Sequence, residues 1–143
     1  MQNTEADTRA RKLLEETSGR ITKPRLEVLT TLCSNKRAIS HADLQKILPK
    51  HDRVSLYRVL HWLIDEKLIE SVAGEDGVRR FIAHDPNEEP HPHFHCRSCG
   101  LTTCFHAITI NQTNTEPDYD IERVSVVVSG LCPKCKTTPS KTS

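Results

Sequence analysis

Two cysteine knuckles, Cys96-Arg97-Ser98-Cys99 and Cys132-Pro133-Lys134-Cys135, constrain this chain more than any other feature. Each presents two thiolates to one ion, and four thiolates around a tetrahedral zinc leave no open coordination position, so the role expected of Cys96, Cys99, Cys132 and Cys135 is structural. Their separation is longer than in a compact zinc ribbon, which places the knuckles at the ends of different strands that the fold brings together. Two buried free pairs, two disulfides or a redox dithiol are the competing uses. The opening residues MQNTEADTRARKLL lack the apolar core of a secretory signal. No stretch approaches the roughly 18–20 apolar residues of a membrane helix. A soluble cytoplasmic protein without membrane contact is expected, and there reduced thiols favour metal over disulfide.

A second group of metal-ligand residues comprises His84, His91, His93, His95, Cys104 and His106. In a strand, alternate residues share a face, so His91, His93 and His95 are expected to point one way and Phe94 and Cys96 the other. Three alternating imidazoles with a thiol nearby indicate a metal site. His51, His61 and His106 are read as ordinary surface histidines, and Cys33, in register with Leu26 and Leu29, as a packed core thiol.

The composition changes near residue 84. Residues 1–83 hold 15 Lys/Arg against 12 Asp/Glu, and residues 84–143 hold 5 against 7, so the N-terminal part is the basic one. Before this point Leu13 and Leu14, then Leu26, Leu29 and Leu32, then Leu44, Ile47 and Leu48, then Leu56, Leu60, Leu63 and Ile64 recur at helical spacing. Thr22 and Pro24 suit the start of one helix, Ser40 and Asp43 a capping box of a second, and Asp52 the cap of a third running to about Glu66. Leu68 to Ala73 and Val78 to Ala83 read as strands around the four-residue loop Gly74-Glu75-Asp76-Gly77. Helix, short helix, second helix and hairpin make a winged helix-turn-helix. Afterwards the β-branched run Val124 to Val128 favours a strand. The organisation expected is a DNA-binding domain over 1–83, a metal-binding domain over 84–136 and a polar tail over 137–143. The fold class is α+β.

On the helix from Arg53 to Glu66 the leucines share one face, which leaves Arg53, Tyr57, Arg58 and His61 largely on the other. Arg53, Ser55, Tyr57 and Arg58 supply the long donors and hydroxyls that base edges and phosphates require. Lys23 and Arg25 at a neighbouring helix start, and Arg79 and Arg80 in the wing, are added as phosphate contacts.

The run Ser55-Leu56-Tyr57-Arg58-Val59-Leu60, preceded by Ile21-Thr22-Lys23-Pro24-Arg25 and followed by the His/Cys block, resembles the ferric-uptake-regulator family of metal-responsive repressors over roughly residues 10–136. The zinc-responsive branch is the nearest in pattern. The resemblance implies a winged-helix domain, a hinge, and an α/β dimerisation domain in a two-fold homodimer on palindromic double-stranded operators. It also implies a sensory ion between the domains, held by His91 and His93, by His84 at the end of the wing, and by Cys104 where relatives carry a carboxylate. A thiolate with three imidazoles suits zinc better than iron or manganese, so two zinc ions per subunit are expected, one structural and one regulatory. Ala38 stands where many relatives carry another histidine, and His41 is the candidate to replace it. The alternatives are an iron- or peroxide-responsive regulator and, from another class, a zinc hydrolase. The latter lacks HExxH and leaves the N-terminal half without a role, so no enzyme is expected.

Overall fold

The computed structural model describes residues 2–85, 88–111 and 115–137. Helix α1 (Gln2–Glu15) lies against α2 (Lys23–Cys33), which packs on α4 (Arg53–Asp65), with α3 (His41–Ile47) beside α4. The local signals set these boundaries. Thr22 caps α2 by accepting from the Arg25 amide at 3.4 Å, and Ser40 caps α3 by accepting from the Asp43 amide at 3.1 Å. Asp52 occupies the N-cap of α4 with extended backbone, but its carboxylate makes no cap hydrogen bond.

Helix α4 ends in a Schellman motif. The Leu68 amide reaches the Leu63 carbonyl at 3.0 Å and the Lys67 amide the Ile64 carbonyl at 2.9 Å. Lys67 holds the left-handed position this motif needs, at φ 63°, and Leu68 is buried beyond it. The apolar faces of the helices meet in one core containing Leu14, Val28, Leu29, Leu32, Leu44, Leu56, Leu60 and Leu63, all essentially inaccessible to solvent. Each buried leucine contributes about 1.5–3 kcal/mol, so this half has its own stabilising centre.

Strand β1 (Ile39–Ser40) joins β2 (Ile69–Ala73) and β3 (Arg79–Ala83) in an antiparallel sheet of order β1-β3-β2. The hairpin pairs Ile69 with Ala83 and Ala73 with Arg79, as the sequence predicts to within a residue. Gly77, at φ +75°, makes the turn possible. Helices followed by this hairpin form the winged helix. A second sheet contains β4 (His93–Cys96), β5 (Thr102–Cys104) and β6 (Val127–Gly130) in the order β5-β4-β6, with the short α5 (Pro133–Lys136) after it. Strand β4 is antiparallel to β5 and parallel to β6, which completes an α+β fold.

Two expectations shift. The strand expected over Val124 to Val128 instead occupies Val127–Gly130, because the parallel register aligns Gly130 with Cys96 and so brings the second knuckle to the first. His91 lies before the strand rather than in it. Of the predicted tail over 137–143, only Thr137 falls among the described residues.

The two sheets are in direct contact. The Ala38 amide donates to the Thr102 carbonyl at 2.7 Å, and the Thr103 hydroxyl to the Lys36 carbonyl at 2.8 Å. His95 is 1% exposed, and its ring fills the space over the wing loop so closely that a Cβ on Gly74 would lie 2.5 Å from it. Gly74→Ala is therefore expected to destabilise the chain by about 1–3 kcal/mol in urea unfolding, the range for an overpacked site. Gly74→Ala combined with His95→Ala should recover most of that loss; equal losses with and without His95 would contradict the packing. Lys67→Gly is expected to raise stability by about 1 kcal/mol, since glycine takes the left-handed position without strain.

Candidate metal centres and nucleic-acid interface

The four knuckle cysteines converge as the spacing predicts. Their sulfurs lie within 4.8 Å of one another, with Cys96 and Cys132 buried, Cys135 half-buried and Cys99 exposed. Cys99 and Cys132 Sγ stand 3.8 Å apart, and the Cys132 amide points at Cys96 Sγ at 3.4 Å. Burial opposes ionisation of Cys96, but the amides of Cys99, Cys132 and Ser98 outweigh it and bring the thiol down to about 6. At Cys99 the Leu101 amide favours the thiolate, yet partial desolvation and the sulfurs of Cys96, Cys132 and Cys135 push it up to about 11. The cluster thus ionises in part by itself and needs a cation to become four thiolates. That is the chemistry of a closed zinc site.

His91, His93 and Cys104 form the other group, also within 4.8 Å of one another. Strand pairing sets His93 opposite Cys104, and the chain before β4 places His91 beside them, its ring 5.1 Å from that of His93. Among the described residues, the buried side-chain polar atoms that make no well-aligned hydrogen bond include both ring nitrogens of His93, Nε2 of His91 and Nδ1 of His84. Buried imidazoles without aligned hydrogen bonds are destabilising, and here they gather at one place with a thiol, which fits a cation-binding group rather than poor packing.

Sequence reasoning missed Glu70. Its Oε2 lies 3.1 Å from His93 Nε2 and its Oε1 3.8 Å from His84 Nδ1, so a carboxylate from β2 stands between the wing-end histidine and the trio. The set expected from the sequence, His84, His91, His93 and Cys104, contains no carboxylate. The only signal available was the hairpin itself, which carries Glu70 to the end of the wing facing β4. His84 is tied to the group through Glu70 and is not among the three whose donor atoms converge.

The local charges are mutually dependent. Burial lowers the basicity of His93, but Cys104 and Glu70 outweigh it and lift the imidazole to about 9. The nearby His93 imidazole holds the Cys104 thiol below its usual range against desolvation, and the same histidine does so for the Glu70 carboxyl.

The remaining histidines divide. His95 does not join the trio: its Nδ1 meets Thr102 Oγ1 at 3.0 Å and its Nε2 lies 4.0 Å from Asp76. His106, expected to be unremarkable, has its exposed ring 4.6 Å from that of His91. Among the described residues His41 joins no metal group; its Nε2 lies 3.1 Å from the Arg53 carbonyl oxygen. His51 lies 2.5 Å from a Glu27 carboxylate oxygen. Cys33 packs against the helical core, and burial raises its thiol.

On α4, Arg53, Tyr57, Arg58 and His61 are exposed and Ser55 is half-buried. Lys23 is exposed beside Glu27, whereas the Arg25 guanidinium lies 3.7 Å over the Trp62 ring and donates to the Arg20 carbonyl at 2.8 Å. Arg79 is exposed. Arg80 is not the phosphate contact expected of it. It turns inward, 14% exposed, and pairs with Asp76 at 2.8 Å.

The ferric uptake regulator family model matches residues 16–128, more than half of the chain. The transcriptional regulator FurA of Mycobacterium tuberculosis is 29% identical over 135 residues, covering 87% of this chain and 88% of its own. Among solved structures, a zinc uptake regulator complexed with zinc and DNA superposes with a TM-score of 0.71 at 20% identity, covering 95% of this chain and 96% of that one. The Helicobacter pylori ferric uptake regulator gives 0.62 at 18%, covering 96% and 95%. These two likenesses show the fold.

With its pKa near 9, His93 carries a proton at neutral pH that an incoming cation must displace. Apparent zinc affinity at this trio is therefore expected to rise with pH from 6 towards about 9 and then level off. Calorimetry in buffers of different ionisation enthalpy should register net proton release. Affinity independent of pH would contradict this.

Proposed function

Because the chain belongs to the ferric uptake regulator family, we propose that it is a zinc-responsive, dimeric repressor that binds operator DNA and governs metal-homeostasis genes in the cytoplasm. The observation that carries this reading is the set of orphaned buried imidazole nitrogens around Cys104, at the place where the wing meets the second sheet. The zinc and DNA named for one structural relative point the same way.

The division of labour follows from the residues. Residues 1–83 form the DNA-binding domain, 84–136 the metal-binding and dimerisation domain, and 137–143 a tail. Cys96, Cys99, Cys132 and Cys135 hold a structural zinc. His91, His93 and Cys104 hold a regulatory one, with His84 or Glu70 completing the set, which makes two zinc ions per subunit. The sulfur donor selects zinc over iron. Bound there, a dication supplies the charge that balances Cys104 and Glu70 and the bonds that keep their donors together.

These donors belong to different parts of the chain. Glu70 sits on the wing and His84 directly follows it, whereas His91, His93 and Cys104 belong to the second sheet. Keeping them together fixes the angle between reading head and dimerisation domain. A two-fold dimer reads palindromic half-sites one DNA turn, about 34–36 Å, apart, so this angle determines whether both heads dock at once. Lys23, Arg25, Arg53, Ser55, Tyr57 and Arg58 make the contacts, the cations on phosphates and guanine edges and Ser55 and Tyr57 for positioning.

The test is Cys104→Ser. It is expected to keep the dimer and the four-cysteine zinc but to lose at least tenfold in zinc-dependent affinity for a duplex selected by the wild-type protein from a random-sequence pool. Unchanged zinc-dependent affinity would remove Cys104 from the sensor.

A further inference from the structure

The exposed face of α4 carries one residue that neither folding nor phosphate binding explains. Arg53, Tyr57, Arg58 and His61 all offer donors, but Val54, the second residue of the helix, is apolar and 55% exposed. Valine loses rotamer freedom in a helix and gains nothing there unless it packs. Val54 lies opposite the buried stripe of Leu56, Leu60 and Leu63, so the core does not recruit it.

Its neighbours are ordered. Tyr57, one turn on and on the same side, is 57% exposed. The Tyr57 ring is braced by His61 at 4.3 Å and His41 at 6.4 Å between centroids, and His41 in turn holds the Arg53 carbonyl. Val54 and the braced Tyr57 ring therefore share the exposed side of α4 as an apolar step between Arg53 and Arg58. Lys46 and Arg79 flank the adjoining groove between α3, α4 and β3. An apolar step ringed by cations is complementary to a polyanion that carries apolar points. In the major groove of duplex DNA the apolar point on a base edge is the thymine 5-methyl group.

We propose that Val54 is a specificity residue that packs on a thymine methyl, one in each half-site, with the braced Tyr57 ring closing one side of the contact. The inference rests on the reading of α4 as the groove-entering helix and deepens it. The first turn of such a helix is the part that meets base edges.

The experiment uses the zinc-loaded full chain and the duplex that wild-type protein selects from a random-sequence pool, with each thymine replaced in turn by deoxyuridine, which removes only the methyl. Fluorescence anisotropy is expected to find one symmetric position where the replacement weakens wild-type binding about fourfold per half-site, which corresponds to about 0.8 kcal/mol. The same replacement should change the affinity of Val54→Ala by less than about 1.5-fold, while other thymines behave alike in both proteins. Alanine favours the helix, so this variant keeps the fold. A methyl effect of equal size in Val54→Ala, or none at any thymine, overturns the assignment while the regulator reading stands. Failure of the zinc-loaded wild-type protein to select any duplex overturns both.

Discussion

A buried imidazole nitrogen with no partner is destabilising by an amount comparable to a lost hydrogen bond, and this chain gathers several of them around one thiol. The rest of the molecule is arranged so that this happens. The helical core fixes the wing, the wing carries Glu70 and leads into His84, and the pairing of β4 with β5 sets His93 against Cys104. Protonated histidine facing carboxylate and thiolate balances the charges of the cluster only in part. A dication satisfies it better, because it replaces a transferable proton with bonds that fix geometry.

The two metal groups differ in the way their tasks require. The four cysteines lie at the end of β4, in the turn after it, at the start of α5 and within α5, so an ion among them closes the C-terminal unit on itself and leaves no position open. The trio and Glu70 straddle the junction between sheets, so an ion there bears on the relation between the parts. On the proposed reading, loss of the first removes a staple and loss of the second frees an angle. The contacts of His95 with Gly74 and with Asp76 lie along the same junction and keep the wing loop close to β4 without any metal. On the proposed reading, a cation at the trio biases a joint that is already in contact, and a few kcal/mol of differential binding suffices to shift such an equilibrium.

Much of this was legible in the sequence because the signals are local. Helix caps at Thr22 and Ser40, the leucine periodicity of α4 and the hairpin around Gly74 to Gly77 are each decided within a few residues, and each appears in the structure. The CxxC pairs were legible for the same reason. What failed was non-local. Glu70 looks like an ordinary strand residue until the sheets are docked, and Arg80 looks like an ordinary surface cation until Asp76 folds over it. Alternation grouped His95 with His91 and His93, but His91 lies outside the strand and His95 packs beneath the wing loop, so a period of two described only part of that segment. The position of β6 was likewise decided by pairing with β4 rather than by where the β-branched residues are densest.

The central claim is that cation binding at His91, His93 and Cys104 fixes the angle between reading head and dimerisation domain. Spin labels introduced through an unnatural amino acid at Asp65, on the outer end of α4, report the distance between the two reading heads of a dimer by double electron–electron resonance. With the four-cysteine zinc retained, the distance distribution is predicted to be broad when the histidine trio is empty and to collapse to one narrow population as zinc is added. An equally narrow and unshifted distribution in both states would contradict the account.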